Sequence, residues 1–211
     1  WDTPQTITVT GVDDDVDDGD ITTTLTATAS NTGGYDGSEE ASTTVITTDD
    51  DSTGITITQT GNTDGSGNLL TTEDGDSSTF TVELDSEPTA DVSVSLSGDD
   101  GSEHTLNTSS LTFTADNWDT PQTITVTGVN DSLQDGDITT TLTATASNTG
   151  GFSGSKAVST TVKNADNDTA GITIAQTGTT DGSGNLLTTE AGSTSTFTVV
   201  LDAQPTADVT V

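Results

Sequence analysis

Carboxylates cluster in this chain at spacings that suit a hard cation better than proton transfer. Glu73, Asp74 and Asp76 share one short stretch, Asp99, Asp100 and Glu103 a second, Asp131, Asp135 and Asp137 a third, and Asp166 and Asp168 a fourth. Calcium takes roughly six to eight oxygens at about 2.3 to 2.6 Å in flexible geometry, which Asp, Asn and loop carbonyls supply more readily than the stricter shell of magnesium. Zinc is disfavoured, because the chain has no Cys and a single His. Catalysis is disfavoured for a related reason. Acid, base and nucleophile work needs tuned groups beside one another, and with His104 in a polar loop, no Cys and no Arg the chain reads as a non-enzyme. A lone Asp-rich loop is as readily a solvated turn, so the metal reading depends on several such loops meeting.

Charge narrows the partners. Two basic residues against 35 acidic ones give a net charge of -33, a field that repels nucleic acid and anionic membrane surfaces alike. The same self-repulsion opposes a compact fold unless cations or salt screen it. No apolar run approaches the roughly 18 residues of a membrane span. An apolar fraction of 27% at this charge would ordinarily indicate disorder, but the pattern overrules the composition.

The elements that must position these acids are strands. In ITTTLTATAS, Ile138, Leu142, Ala144 and Ala146 fall on one side and Thr139, Thr141, Thr143 and Thr145 on the other. That alternation marks a sheet with one wet and one buried face. Phe80, Val82 and Leu84, then Val92, Val94 and Leu96, repeat it; Ile55 and Ile57, Leu111 and Phe113, Ile124 and Val126, and Val158 and Val162 complete the set. About seven short strands in one unit predict an all-β, antiparallel, immunoglobulin-like sandwich. Trp118, just before a strand and three residues ahead of Pro121, reads as an apolar plug at one end rather than a sugar-stacking ring, since aromatic residues make up only 3%.

The unit recurs. WDTPQTITVTGV begins at Trp1 and again at Trp118, and GSGNLLTTE at Gly65 and again at Gly182. Residues 1–51 align with 118–168, and 54–94 with 171–211, without insertion and at roughly three quarters identity, which is the mark of stacked modules. The expected organisation is the C-terminal half of one repeat over 1–51, a complete repeat over 52–168 and the N-terminal half of the next over 169–211. With no Met and both ends inside a unit, the chain reads as a window of a longer array.

If successive strands run antiparallel, the first, third and fifth loops and the end of the last strand share one pole. Asp64 and the four clusters gather there; Asp85, Glu87, Asp91, Asp116 and Asp119 go to the other pole, with Glu83 inside a strand. Unit charges about 4 Å apart repel by several kcal/mol near a protein surface, and a cation resolves this.

LTFTADNWDTPQTITVTGVND, followed by Asp135 and Asp137 and closed by Asp166 and Asp168, resembles the Calx-beta family and the Calx-beta-like repeats of giant bacterial surface adhesins. The resemblance implies calcium-binding sandwiches in tandem. It implies as ligands Glu73, Asp131, Asp135, Asp137, Asp166 and Asp168, with Asn130 where the family often has a first aspartate. The third loop, with Asp99 and Asp100, departs from the family's usual segment. In the other copies the counterparts are Asp13, Asp14, Asp18, Asp20, Asp49 and Asp51, together with Glu190. Asp15 and Asp17 become Ser132 and Gln134, so the first copy is expected to be the richer in ligands.

The function implied is a calcium-rigidified stalk or fibre-forming region of a secreted or surface-attached protein, supporting adhesion. Its partners are neighbouring repeats of the same chain and other copies in a fibre. A calcium sensor is one alternative, disfavoured by near-identical copies; a glycan-binding module is another, hinted at by Trp118 and by Tyr35, which Phe152 replaces. Completion of one half-unit by the other half of a second molecule is a further option, disfavoured against a continuous array because the two halves together lack the counterpart of residues 95–117. Sequons at Asn107, Asn130 and Asn167 are discounted, because a glycan at the last two would obstruct the proposed site.

Overall fold

Alternating apolar and hydroxyl side chains give this molecule its strands. The computed structural model describes residues 2–99, 101–152 and 156–211. In chain order the strands are β1 (Ile21–Thr28), β2 (Glu40–Thr47), β3 (Ile55–Gln59), β4 (Leu69–Thr72), β5 (Ser77–Leu84), β6 (Val92–Ser97) and β7 (His104–Leu106). They continue with β8 (Ser110–Phe113), β9 (Gln122–Gly128), β10 (Ile138–Ala146), β11 (Ala157–Ala165), β12 (Ile172–Gln176) and β13 (Phe197–Leu201). The fold is all-β: every regular element among the described residues is a strand.

Strands β3 to β11 build two sheets around one core, in the orders β4-β11-β10-β6-β8 and β3-β5-β9-β7. Phe80, Val82 and Leu84 of β5 and Ile124 and Val126 of β9 share that core with Val94 of β6, Phe113 of β8, Leu142 and Ala144 of β10 and Val162 of β11. Their intervening Thr and Ser side chains point away from it. Burying each large apolar group contributes about 1.5 to 3 kcal/mol, so the few apolar residues suffice when every one faces inward. Trp118 packs half-buried against the core, and its carbonyl accepts the Leu84 amide at 3.0 Å.

Two features correct the sequence reading. The unit has nine strands rather than about seven, because β4 and β7 lie inside segments read as loops. They are four and three residues long, too short for alternation to register. The arrangement is also not wholly antiparallel: β4 runs parallel to β11, with Leu69 opposite Val162 and Thr72 opposite Ala165. His104, expected in a polar loop, is buried at the start of β7 opposite Gly128.

Outside this body, β1 pairs with β2 and β12 with β13 as two separate two-stranded sheets. Their registers repeat those of the central body 117 residues away. Ile21 opposite Thr47 matches Ile138 opposite Asn164, and Ile172 opposite Leu201 matches Ile55 opposite Leu84.

Candidate metal centre

The end of the sandwich where β4, β9 and β11 finish and β10 begins carries the acidic loops. Its floor is polar but closed: buried Asn164 donates from Nδ2 to the Val129 carbonyl at 3.1 Å and accepts from Thr71 Oγ1 at 3.1 Å. That side chain ties the ends of β4, β9 and β11 together. Gly128 is required here, since a Cβ at that position would run into the Thr72 carbonyl oxygen.

Above this floor, Glu73, Asp131 and Asp168 each present an oxygen within 4.8 Å of the others. Oxygens held at about 2.3 to 2.6 Å from one calcium ion fall within such mutual distances, so the triad fits a single ion. Glu73 is only 3% exposed, and its Oε2 accepts the Asn167 amide at 3.0 Å. Burial pushes its carboxyl above the usual range; the Asn167 bond opposes this, and the charges of Asp166, Asp131 and Asp168 add to it. Asp131 accepts the Leu133 amide at Oδ1, 2.6 Å away. Asp168 Oδ2 is buried and has no hydrogen-bond partner among the described residues. A buried carboxylate oxygen left so costs a large desolvation penalty unless a cation or proton meets it. Glu103, Asp131 and Asp135 form a second group of the same compactness, with Asp131 common to both. Sequence reasoning put Glu103 at this pole but left it out of the ligand set; the β6 to β7 crossover brings it over.

Other expected ligands are occupied differently. Asp166 accepts the Asp168 amide at 2.7 Å and the Gly136 amide at 2.7 Å, and it belongs to neither compact acidic group among the described residues. Asp137 accepts the Asp166 amide at 3.2 Å and the Lys163 ammonium at 3.0 Å, and the lysine holds its carboxyl below the ordinary value. Asp99 receives the amides of Gly101 and Leu106 at 3.0 and 3.1 Å. Asn130 is exposed, and Asp100 lies outside the described residues.

The first copy of these loops repeats the same bonds. Asp14 accepts the Val16 amide at 3.1 Å, Asp49 accepts the amides of Asp51 and Gly19, and Asp20 accepts the Asp49 amide at 3.0 Å. Burial and then the charges of Asp50, Asp49, Asp15 and Asp13 raise the Asp51 carboxyl. Asp13 and Asp18 are exposed beside them, and Glu190 is exposed at the far end of the chain. None of these residues joins a compact acidic group among the described residues.

The same loops also bond to strand-flanking segments of the next unit. Asp17 Oδ2 accepts the Thr53 amide at 2.7 Å, and the Asp15 carbonyl accepts the Glu87 amide at 2.7 Å. At the counterpart positions Gln134 Oε1 accepts the Ala170 amide at 2.8 Å, and the Ser132 carbonyl accepts the Gln204 amide at 2.6 Å. Ser132 and Gln134 lie between Asp131 and Asp135 in one loop, so one short segment bears both the acids and the contact to the following strands.

No family model matches the chain, and no curated protein matches it. Among solved structures, it is similar to the YadV chaperone at 13% identity and a TM-score of 0.38, over 59% of this chain and 61% of that one. It is also similar to the E. coli chaperone DraB at 8% identity and a TM-score of 0.34, over 74% of this chain and 88% of that one. The chain thus spans less than two thirds of the first of these structures.

Proposed function

We propose that the chain is a stretch of tandem immunoglobulin-like sandwiches, similar to Calx-beta repeats, that calcium stiffens into an extracellular stalk or fibre. The observation that carries this reading is the buried Asp168 oxygen, without a hydrogen-bond partner among the described residues, beside Glu73 and Asp131. An all-oxygen donor set with a partly desolvated carboxylate suits a hard divalent cation. Glu73, Asp131 and Asp168 would hold one ion, and Glu103 and Asp135 with Asp131 a second.

Mechanically, the role follows from connectivity. Asp131 and Asp135 sit in the loop whose Ser132 and Gln134 hold the next strands, and Asp168 leads directly into those strands. Without a cation, the gathered charges repel and the loop loosens. A bound ion ties the loop to the end of β11 and to Glu73, which narrows the orientations open to the following module. Sites of this extracellular type bind at about 10⁻⁴ to 10⁻³ M. Small-angle scattering of the full chain in about 5 mM calcium is expected to give a longer, narrower distance distribution than in chelator. An unchanged distribution, with no calcium-induced rise in melting temperature, would end the proposal.

A further inference from the structure

Strand direction gives the central body a particular way of carrying tension. The chain enters beside Asp85, whose amide donates to the Gly54 carbonyl at 3.1 Å, and leaves through Asp168, beyond the end of β11. These points lie at opposite poles: β3 starts opposite Leu84, the last residue of β5, whereas β11 finishes with β4 and β9 at the acidic end, where β5 starts. Both β3 and β4 run towards the acidic end, β4 alongside β11. Tension along the chain therefore draws β4 by its N-terminal end and β11 by its C-terminal end, in opposite directions. Parallel strands loaded in this way are sheared, so their evenly spaced bonds share the load and break together. An antiparallel pair pulled at neighbouring ends opens one rung at a time.

Of the two loaded strands, β11 is the better anchored. It holds β10 along most of its length, from Asn164 opposite Ile138 to Ala157 opposite Thr145, whereas β4 meets β11 only from Leu69 to Thr72. The part that yields first is thus the N-terminal segment, residues 53–74. Bonds outside the ladder extend its grip on β11. Gln59 Nε2 donates to Thr160 Oγ1 at 2.9 Å, Thr161 Oγ1 donates to Asn68 Oδ1 at 2.6 Å, and the Glu73 amide donates to the Ala165 carbonyl at 3.2 Å. Glu73 follows β4 directly and is 3% exposed, so the segment cannot slip past β11 without pulling this carboxylate out of its place beside Asp131 and Asp168.

We infer that β4 and β11 form a shear clamp that bears tension along the array, and that a cation at Glu73, Asp131 and Asp168 latches it; this rests on the calcium-stiffened stalk proposed above. The ion joins the end of the yielding segment to the loop after β9 and to the residue through which the chain leaves. Shearing the clamp then requires breaking coordination as well as strand bonds. Forced unfolding follows the unfolding rate rather than the equilibrium stability, so a tie at the point of first yield counts for more than the same energy elsewhere. The opposite edge of the same sheet has no such device. There β8 runs antiparallel to β6, with Phe113 opposite Val92 at the entry end, and the flanking Asp91 and Asp116 belong to neither compact acidic group among the described residues.

The absence of Cys allows the direction of pulling to be chosen. With DNA handles on Ser52→Cys and Thr169→Cys of the full chain, single-molecule force spectroscopy loads the central body along the array. With handles on Asp91→Cys and Asp116→Cys it peels β8 from β6. In about 5 mM calcium the first geometry is expected to rupture at a force several-fold above the second, while the two variants melt at the same temperature. Chelator should lower the first force and leave the second nearly unchanged, and Glu73→Gln in calcium should reproduce the chelator value in the first geometry. Comparable forces in the two geometries overturn the clamp even where calcium raises the melting temperature, a result that leaves the metal reading standing. A force that depends on direction but not on calcium, in a chain that calcium stabilises against heat, overturns the latch. Melting that calcium does not move overturns the stalk reading instead, and the melts alone distinguish that failure from the other two.

Discussion

At the residue scale, Asp168 and Asp137 carry the same formal charge at the same end of the sandwich and should respond oppositely to substitution. Asp168 Oδ2 is buried with no hydrogen-bond partner among the described residues, whereas Asp137 is engaged by Lys163 and by the Asp166 amide. Asp168→Asn removes a repelling charge, so it is expected to raise the melting temperature in chelator and to weaken calcium binding by about tenfold or more, because affinity follows ligand charge. Asp137→Asn should lower stability slightly and leave the calcium response intact. Isothermal titration and thermal melts of the two variants separate the cases. Glu73 adds a pH dependence with a definite sign. Its folded carboxyl is raised chiefly by burial, so in chelator the folded state binds a proton more readily than the unfolded chain does. That contribution is complete below the ordinary value of 4.5 and is lost as pH climbs through the raised one. Melting temperature in chelator should therefore rise as pH falls from 7 towards 5, with a smaller slope in Glu73→Gln. In calcium the trend reverses, since protons compete with the ion for the same oxygens.

At the scale of elements, the close packing of β9 on β4 gives a paired test. Gly128→Ala drives a Cβ into the Thr72 carbonyl, while at the counterpart Gly11 the nearest atom to such a Cβ is Thr47 Cγ2 at 3.6 Å, an ordinary contact. Gly128→Ala is expected to cost about 1 to 3 kcal/mol and to lower the melting temperature by several degrees, with Gly11→Ala near neutral. Thermal melts of the two variants check it. The same elements mark where sequence reading succeeds and stops. Seven strands announce themselves because Thr and apolar residues alternate over many positions, as in β10 and β5. β4 escapes because Leu69 and Thr71 are its only buried pair and its partner β11 lies about 90 residues away, a parallel match that no local pattern encodes. β7 escapes because three residues carry no period. Acid clusters are legible by position, so Glu73, Asp131 and Asp168 could be named. Which acids serve the loop backbone cannot be read locally: Asp166 and Asp99 have the same residue type and loop setting, and only the fold shows the amides they accept.

At the scale of the whole molecule, the two joints have one geometry and different chemistry. Asp17, with its carboxylate on the Thr53 amide, sits among Asp13, Asp14, Asp15 and Asp18, and its joint also includes Glu87; the equivalent joint uses Gln134, Ser132 and Gln204, all neutral. A charged acceptor makes the stronger single bond, but its like-charged neighbours oppose the closed arrangement. The first joint should therefore be the looser one in chelator at low salt and should gain most from cations, whereas the second should vary less. Spin labels at Ser42→Cys and Thr58→Cys report the first joint, and labels at the counterpart positions, Ser159→Cys and Ala175→Cys, report the second. Electron–electron distance measurements are expected to show a broad distribution across the first joint that narrows in calcium, with a smaller change across the second. Asp17→Gln gives the first joint the second's acceptor and should remove part of the difference. Equal widths and equal narrowing at both joints would mean that local charge does not set their stiffness, and that the shared backbone bonds alone do.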